Sequence, residues 1–119
     1  MLLQIENLRV LLQPVLQAHP TISLVLFGSR ARGAAHAYAD IDLGVVSGDA
    51  PLSFAEFSRI KDAIDDLTED WPVMVECVNL SAAPAWFRDS IAPDVQCIAG
   101  NTLAWQQWRT QSYEQSASR

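Results

Sequence analysis

The sequence is poor in positive charge and in cysteine. Its 119 residues contain eight Lys and Arg against fourteen Asp and Glu, which gives a formal net charge of −6 at pH 7. Because no run of basic residues is present to neutralise many phosphates, we expect no stable binding of nucleic acid by this chain alone. The two cysteines, Cys77 and Cys97, form no C-x-x-C pair. This argues against a zinc site or a disulfide framework and predicts two buried free thiols.

Long apolar runs are absent as well. No apolar segment approaches the ~20 residues that a membrane-spanning helix requires, and residues 1–10 lack the basic start and cleavage site of a secretory signal. We therefore expect a soluble, cytoplasmic protein without a membrane partner. Half of the residues are hydrophobic, which is sufficient for one compact domain with a single core.

Helical and strand patterns alternate along the chain. Short apolar runs, rich in β-branched residues, predict strands over residues 21–27, 41–46, 73–80 and 95–99. Helical spacing and capping residues predict helices over residues 2–18 (kinked or split at Pro14), a single turn from Ser29, residues 53–70 and residues 84–91. The alternation indicates an α/β protein in which helices pack on one central sheet.

The C-terminal segment differs from the rest. Residues 1–100 form the predicted domain, whereas residues 101–119 predict a helical turn followed by a disordered, polar tail. Trp105 and Trp108 give this turn a weak apolar stripe. Both are expected to be core or interface anchors, and since little chain remains to cover them, they are the first candidates for contact with a partner.

One stretch has the pattern of a phosphate and metal site. Gly28 and Ser29 follow a predicted strand, where glycine lets the backbone turn closely around a phosphate and serine offers its hydroxyl and N–H. After ten further residues, Asp40 and Asp42 enter the next strand, two positions apart and therefore on one face. Two such carboxylates repel each other unless a cation lies between them, and Mg²⁺ prefers oxygen ligands of this kind. The alternative is a pair of ordinary surface acids.

Glu76 is the one charged side chain inside the third predicted strand. If two metal ions are used, a third acid is needed, and Glu76 is the candidate. A buried carboxylate requires a partner, so an ion pair with Arg30 or Arg32 is the alternative. Arg30 adjoins the glycine turn and suits bidentate contact with a phosphate, exposure to solvent being its other interpretation.

These residues form one pattern, in which Gly28-Ser29 is followed by ten residues, by Asp40-x-Asp42 and by a later acid. This pattern resembles the signature of the DNA polymerase β-like nucleotidyltransferase superfamily. The segments FGSRARG (27–33) and DIDL (40–43) are similar to its minimal nucleotidyltransferase branch, whose members are partners of HEPN-domain proteins in prokaryotic toxin–antitoxin pairs. The resemblance covers residues 10–99. It implies a small mixed central β-sheet with flanking helices.

The resemblance also implies roles for individual residues. Gly28 and Ser29 would contact a nucleotide triphosphate, Asp40 and Asp42 would be ligands of two Mg²⁺ ions, and Glu76 would be a ligand of the ion that activates the acceptor. ATP would be the donor. AMP would pass to a tyrosine of the HEPN partner, which silences the RNase activity of that toxin.

Two positions depart from the family pattern. Glu76 stands where the family most often has Asp, and Ala39 stands where Ser is expected before the first acid. These departures keep open a catalytically silent antitoxin that blocks its partner by contact alone. Transfer to a small molecule or an RNA end is a further alternative. Since the catalytic core takes about ninety residues, we expect another subunit, in a homo- or hetero-oligomer, to supply the acceptor or the wall that holds it.

Overall fold

The computed structural model describes residues 5–33, 39–48 and 50–117, with side chains as far as residue 111. In chain order the elements are α1 (Ile5–Leu11), α2 (Gln13–Ala18), β1 (Ile22–Phe27), β2 (Ile41–Ser47), α3 (Phe54–Leu67), β3 (Val75–Asn79), a 3-10 turn (Leu80–Ala82), α4 (Ala85–Ile91), β4 (Gln96–Gly100) and α5 (Thr102–Ala117). No helix within the described ranges is long and apolar enough to cross a membrane.

The helix boundaries follow local chemistry. Pro14 splits the N-terminal helix, as predicted, and lies in the first turn of α2, where a missing N–H costs no hydrogen bond. The predicted capping box begins α3, because the Ser53 side chain accepts a hydrogen bond of 3.1 Å from the Glu56 N–H. Ile60 and Ile64 of α3 then lie one turn apart and are fully buried.

The four strands form one mixed sheet in the order β3-β2-β1-β4. β1 pairs antiparallel with both β2 and β4, whereas β3 pairs parallel with β2 after the crossover through α3. β3 and β4 are therefore the edge strands. This arrangement confirms the predicted fold, a small mixed sheet with flanking helices.

Each face of the sheet has its own core. Side chains such as Leu24, Leu43 and Val75 pack with α1, α2 and α3 on what we call the first face. On the second face, Val25 and Val46 pack with α4 and α5. Alternate residues of a strand belong to opposite faces, so neighbours in sequence lie in different environments.

The C-terminal helix is longer and better packed than the sequence indicated. A helix of 16 residues occupies the segment for which a turn and a disordered tail were predicted. Trp108 is 2 % exposed, and its Nε1 donates a hydrogen bond of 3.1 Å to the Leu80 carbonyl. The core interpretation of Trp108 is confirmed and its contact with a partner is wrong, because the side chain is buried in the core of the second face. Trp105, partly buried, stacks on it at a centroid distance of 6.2 Å. The division into residues 1–100 and 101–119 stays a prediction.

Only one of the two cysteines is buried. Burial raises the pKa of the Cys77 thiol to about 12. Cys97 is exposed because it lies on edge strand β4. The prediction of two buried thiols is therefore wrong for Cys97.

Candidate functional site

Two of the predicted acids lie side by side on neighbouring strands. The register pairs Phe27 of β1 with Asp42 of β2, and Asp42 with Glu76 of β3. Side chains paired in this way project to the same side, here the second face of the sheet. We call Gly28, Asp40, Asp42 and Glu76 together the acidic end of this face.

Gly28 lies directly against Asp42. Its φ of +75° is in the left-handed region, and a Cβ added there would stand 2.0 Å from Asp42 Oδ2. Glycine is thus required twice, once by the backbone conformation and once by the room that the carboxylate takes. The sequence indicated the first requirement but contained no signal for the second.

The segment after Gly28 forms a compact turn, where one helical turn was predicted. The Arg32 N–H donates to the Gly28 carbonyl, and the Gly33 N–H to the Arg30 carbonyl, both at 3.2 Å. From β4, Gln96 Nε2 donates to the Ala31 carbonyl at 3.0 Å. Ser29 lies inside this turn, and its contact with a phosphate stays a prediction.

Arg30 joins the two parts of the motif. Its Nε and Nη2 donate to the Ala39 carbonyl at 3.1 and 2.5 Å, and Ala39 immediately precedes Asp40. The guanidinium thereby fixes the chain at the point where it enters β2. Sequence reasoning missed this contact and considered contact with a phosphate, an ion pair with Glu76 or exposure to solvent instead. The phosphate role stays a prediction.

The carboxylates of the acidic end influence one another. The pKa of Asp42 is raised, first by burial and then by the negative charges of Glu76 and Asp40, while Arg32 acts in the opposite direction. Asp42 is partly buried, whereas Asp40 and Glu76 are exposed. The expectation that Glu76 is buried is wrong, because β3 is an edge strand and this end of it is uncovered. The presence of a charged residue at position 76 is therefore not explained by a buried carboxylate that needs a partner.

The donor set suits a hard divalent cation. Within the described part of the chain, no three His, Cys, Asp or Glu side chains already form a metal cluster. The carboxylates of Asp42 and Glu76 nevertheless come from paired positions on adjacent strands and repel each other. Oxygen ligands in this arrangement fit Mg²⁺, whose positive charge would offset the repulsion.

Comparisons with known proteins agree with this geometry. The family model described as "Polymerase beta, Nucleotidyltransferase" matches residues 11–102. The probable protein adenylyltransferase MntA of Haemophilus influenzae is 31% identical over 86 residues, which cover 72% of this chain and 73% of that protein.

Solved structures show the same fold. A toxin–antitoxin crystal structure with AMP-PNP matches with a TM-score of 0.69 and 19% identity, over 98% of this chain and 89% of the other. The complex of a tri-AMPylated Shewanella oneidensis HEPN toxin with an MNT antitoxin matches with a TM-score of 0.65 and 15% identity, over 97% and 88% of the two chains.

Proposed function

Because the chain belongs to the polymerase beta nucleotidyltransferase family, we propose that it transfers AMP from ATP to a tyrosine hydroxyl of a HEPN-domain toxin and so acts as its antitoxin. The observation that carries the proposal is the register that sets Asp42 beside Glu76, with Gly28 against the Asp42 carboxylate. The probable adenylyltransferase activity of the curated relative supports the same chemistry.

Each residue of the acidic end has a place in this reaction. Gly28 and Ser29 contact the triphosphate from the turn that follows β1. Asp40 and Asp42 would hold two Mg²⁺ ions, and Glu76 would join Asp42 as a ligand on the side of the acceptor. Bound there, Mg²⁺ would lower the pKa of the acceptor hydroxyl and neutralise charge on the phosphates.

The transfer itself exchanges one phosphorus–oxygen bond for another. The acceptor oxygen bonds to the α-phosphorus, the bond from that phosphorus to the bridging oxygen breaks, and pyrophosphate leaves while the hydroxyl proton passes to solvent. The contribution of the chain is to hold the reacting groups in place. Arg30, through the Ala39 carbonyl, fixes the backbone that carries Asp40.

Exposure of Glu76 supports an acceptor that another protein supplies. An enzyme that selects a small acceptor normally encloses it, whereas a protein surface can reach an acid on an open edge strand. The toxin–antitoxin complexes among the structural neighbours favour a HEPN-domain protein as that partner.

The direct test combines the protein with ATP, Mg²⁺ and a HEPN-domain protein. We expect the mass of the HEPN protein to rise by whole AMP units, located on tyrosine by fragmentation. Chelation of Mg²⁺, or replacement of both Asp40 and Asp42 by Asn, abolishes the addition. Absence of any AMP with the unaltered protein contradicts the proposal.

A second candidate is an antitoxin that acts by contact alone. It is favoured by the exposure of Glu76 and by the lack of a ready-made three-ligand metal cluster among the described residues. Calorimetry separates the candidates. The contact-only protein binds no ATP in the presence of Mg²⁺ and still inhibits the RNase when both aspartates are Asn.

A further inference from the structure

An exposed tryptophan is joined to the acidic end by aromatic contacts. Trp86 belongs to α4, and its side chain is 68% exposed. The indole meets the ring of Phe87 at nearly a right angle, with the centroids 5.8 Å apart, and Phe87 meets the ring of Phe27 in the same way at 6.0 Å. Phe27 is paired with Asp42 in the sheet and directly precedes Gly28. The three rings therefore form a row that begins at the site and ends at an indole open to solvent.

The helical phase of α4 determines the side on which Trp86 lies. Phe87 packs on the core of the second face, and consecutive residues of a helix project about 100° apart. Arg88, next to Phe87 on one side, lines a cavity together with residues of α5 and with Ser47, at the far end of β2. Trp86, next to Phe87 on the other side, therefore lies on the flank of α4 that faces away from α5 and toward the acidic end.

This flank of α4 is uncovered. Ser90 lies one turn after Trp86 on the same flank and is also exposed. The contact with Phe87 limits the orientations of the indole, so less conformational entropy is lost when a ligand packs on it. Trp86 is thus a partly preorganised aromatic surface beside a site that is proposed to hold a nucleotide.

The row of rings begins on the nucleotide side of the site. It starts from β1, whose end leads into Gly28 and Ser29, and not from β3, which carries Glu76. Nucleobases have planar π faces and stack on exposed aromatic side chains of proteins. A base also carries no charge, so the carboxylates of the acidic end do not repel it. A base therefore complements the indole in both shape and charge.

We propose that Trp86 binds the base of ATP by stacking, while the acidic end holds the phosphates. The inference rests on the proposed function and assigns the base subsite of that same site. Stacking depends on the area of the ring system and not on a hydrogen-bond pattern, so the subsite favours purine over pyrimidine nucleotides. Trp86 then affects how tightly the nucleotide binds and not how fast the bound nucleotide reacts.

The test measures the affinity of the full chain for ATP by calorimetry with Mg²⁺ and without an acceptor. We expect Trp86→Ala to weaken the binding of ATP about tenfold, whereas Trp86→Phe retains most of the affinity because it keeps an aromatic ring. Inorganic triphosphate lacks a base, so its affinity should be the same with and without the indole. The preference for ATP over UTP should shrink in Trp86→Ala. In the transfer assay, the KM for ATP rises and kcat stays unchanged.

Phe54→Ala is the matched control. Phe54 is an aromatic residue that is 86% exposed, but it lies at the start of α3, which packs on the first face. Its replacement should leave the affinities for ATP, UTP and inorganic triphosphate unchanged.

Three outcomes would overturn the inference. In the first, Trp86→Ala binds ATP as tightly as Phe54→Ala does, in which case AMP transfer by the unaltered protein would still support the proposed function. In the second, Trp86→Ala loses affinity for inorganic triphosphate as much as for ATP, so that the indole does not act through the base. In the third, Trp86→Ala keeps its affinity for ATP but loses affinity for the HEPN-domain protein, which would make Trp86 a partner contact.

The two proposals can also fail separately. If the binding of ATP depends on Trp86 but no AMP reaches the HEPN-domain protein, the proposed function fails and the base subsite stands. If the unaltered protein binds no ATP in the presence of Mg²⁺, both proposals fail.

Discussion

The second face of the sheet has two ends that differ in what covers them. At one end, Val46 of β2 and Trp108 of α5 belong to one apolar cluster and are almost wholly buried. At the acidic end, Asp42 is only partly buried and Glu76 is exposed. Both ends belong to the same strands with the same alternation of side chains. The difference in burial therefore comes from the helices that cover one end and not the other.

The covered end contributes to the stability of the fold, whereas the acidic end holds the residues of the proposed reaction. Both ends lie on the same strands. Burial of apolar side chains at the covered end stabilises the fold by ~25 cal/mol per Å². Clustered carboxylates at the acidic end repel one another and do not stabilise the fold by burial of apolar surface. Variants at the two ends should therefore affect different measurements.

The largest effect is expected at the covered end, for Trp108→Ala. The change removes a buried indole and its hydrogen bond to the Leu80 carbonyl, which should lower the free energy of unfolding by about 3–5 kcal/mol. Urea denaturation measures this loss. Trp86→Ala is the matched control, because Trp86 is 68% exposed and its removal should change stability by less than about 0.5 kcal/mol. Equal losses for the two variants would contradict the packing described for α5.

Asp42→Asn should show the opposite profile. We expect the rate of AMP transfer to fall about 10²–10³-fold, because the proposed function places the charge of this residue at the reacting centre. The free energy of unfolding should stay the same or rise, since the change removes repulsion from Glu76 and Asp40. Asp66→Asn, at an exposed position of α3, should alter neither quantity. A marked loss of stability in Asp42→Asn would show that the carboxylate has a structural role.

Gly28→Ala and Gly33→Ala form a matched pair. Both glycines have positive φ, +75° and +72°, but nothing lies within 4 Å of a Cβ added at Gly33. Each variant should lose about 1–2 kcal/mol of stability for the left-handed backbone. Only Gly28→Ala should also slow AMP transfer, by about tenfold, because its methyl group displaces Asp42. Unchanged transfer in Gly28→Ala would mean that the carboxylate can move aside without cost.

The smallest effect concerns the two cysteines. Cys77 follows Glu76 directly but faces the buried side of β3, and the raised pKa of about 12 keeps its thiol protonated. Iodoacetamide at pH 8 should therefore modify Cys97 in the folded protein and Cys77 only after denaturation. Peptide mapping with and without urea measures this difference. Modification of Cys77 at the native rate would show that this part of β3 opens readily.

The sequence was most informative where a local rule acts. The Ser53 capping box, the split at Pro14 and the apolar runs predicted α3, the N-terminal helices and the four strands, since each depends on nearby residues. The strand order and the parallel pairing of β3 depend on long-range contacts. The sequence predicted neither, and the mixed character of the sheet was predicted only through the resemblance to a known family.

Sequence reasoning about the site named residues that the structure brings together, but it was wrong about their environments, and their roles stay predictions. The pattern brought Asp42 and Glu76 into one hypothesis, and the register pairs them. It assumed, however, that a charge inside an apolar strand must be buried, whereas an edge strand leaves Glu76 exposed. It also favoured contact of Trp108 with a partner, because the weak apolar pattern of α5 did not show that Trp108 packs into the core of the second face.

The parallel pairing of β3 with β2 has a consequence for the order in which the site assembles. Gly28 and Asp42 meet through an antiparallel pair of strands that are close in sequence. Glu76 joins them only after the whole of α3 has crossed the sheet and β3 has docked on its edge. Since long loops close more slowly than short ones, this carboxylate should arrive last. In a newly made chain, Gly28 and Asp42 would then be in place, on the proposed nucleotide side, before Glu76 completes the proposed acceptor side.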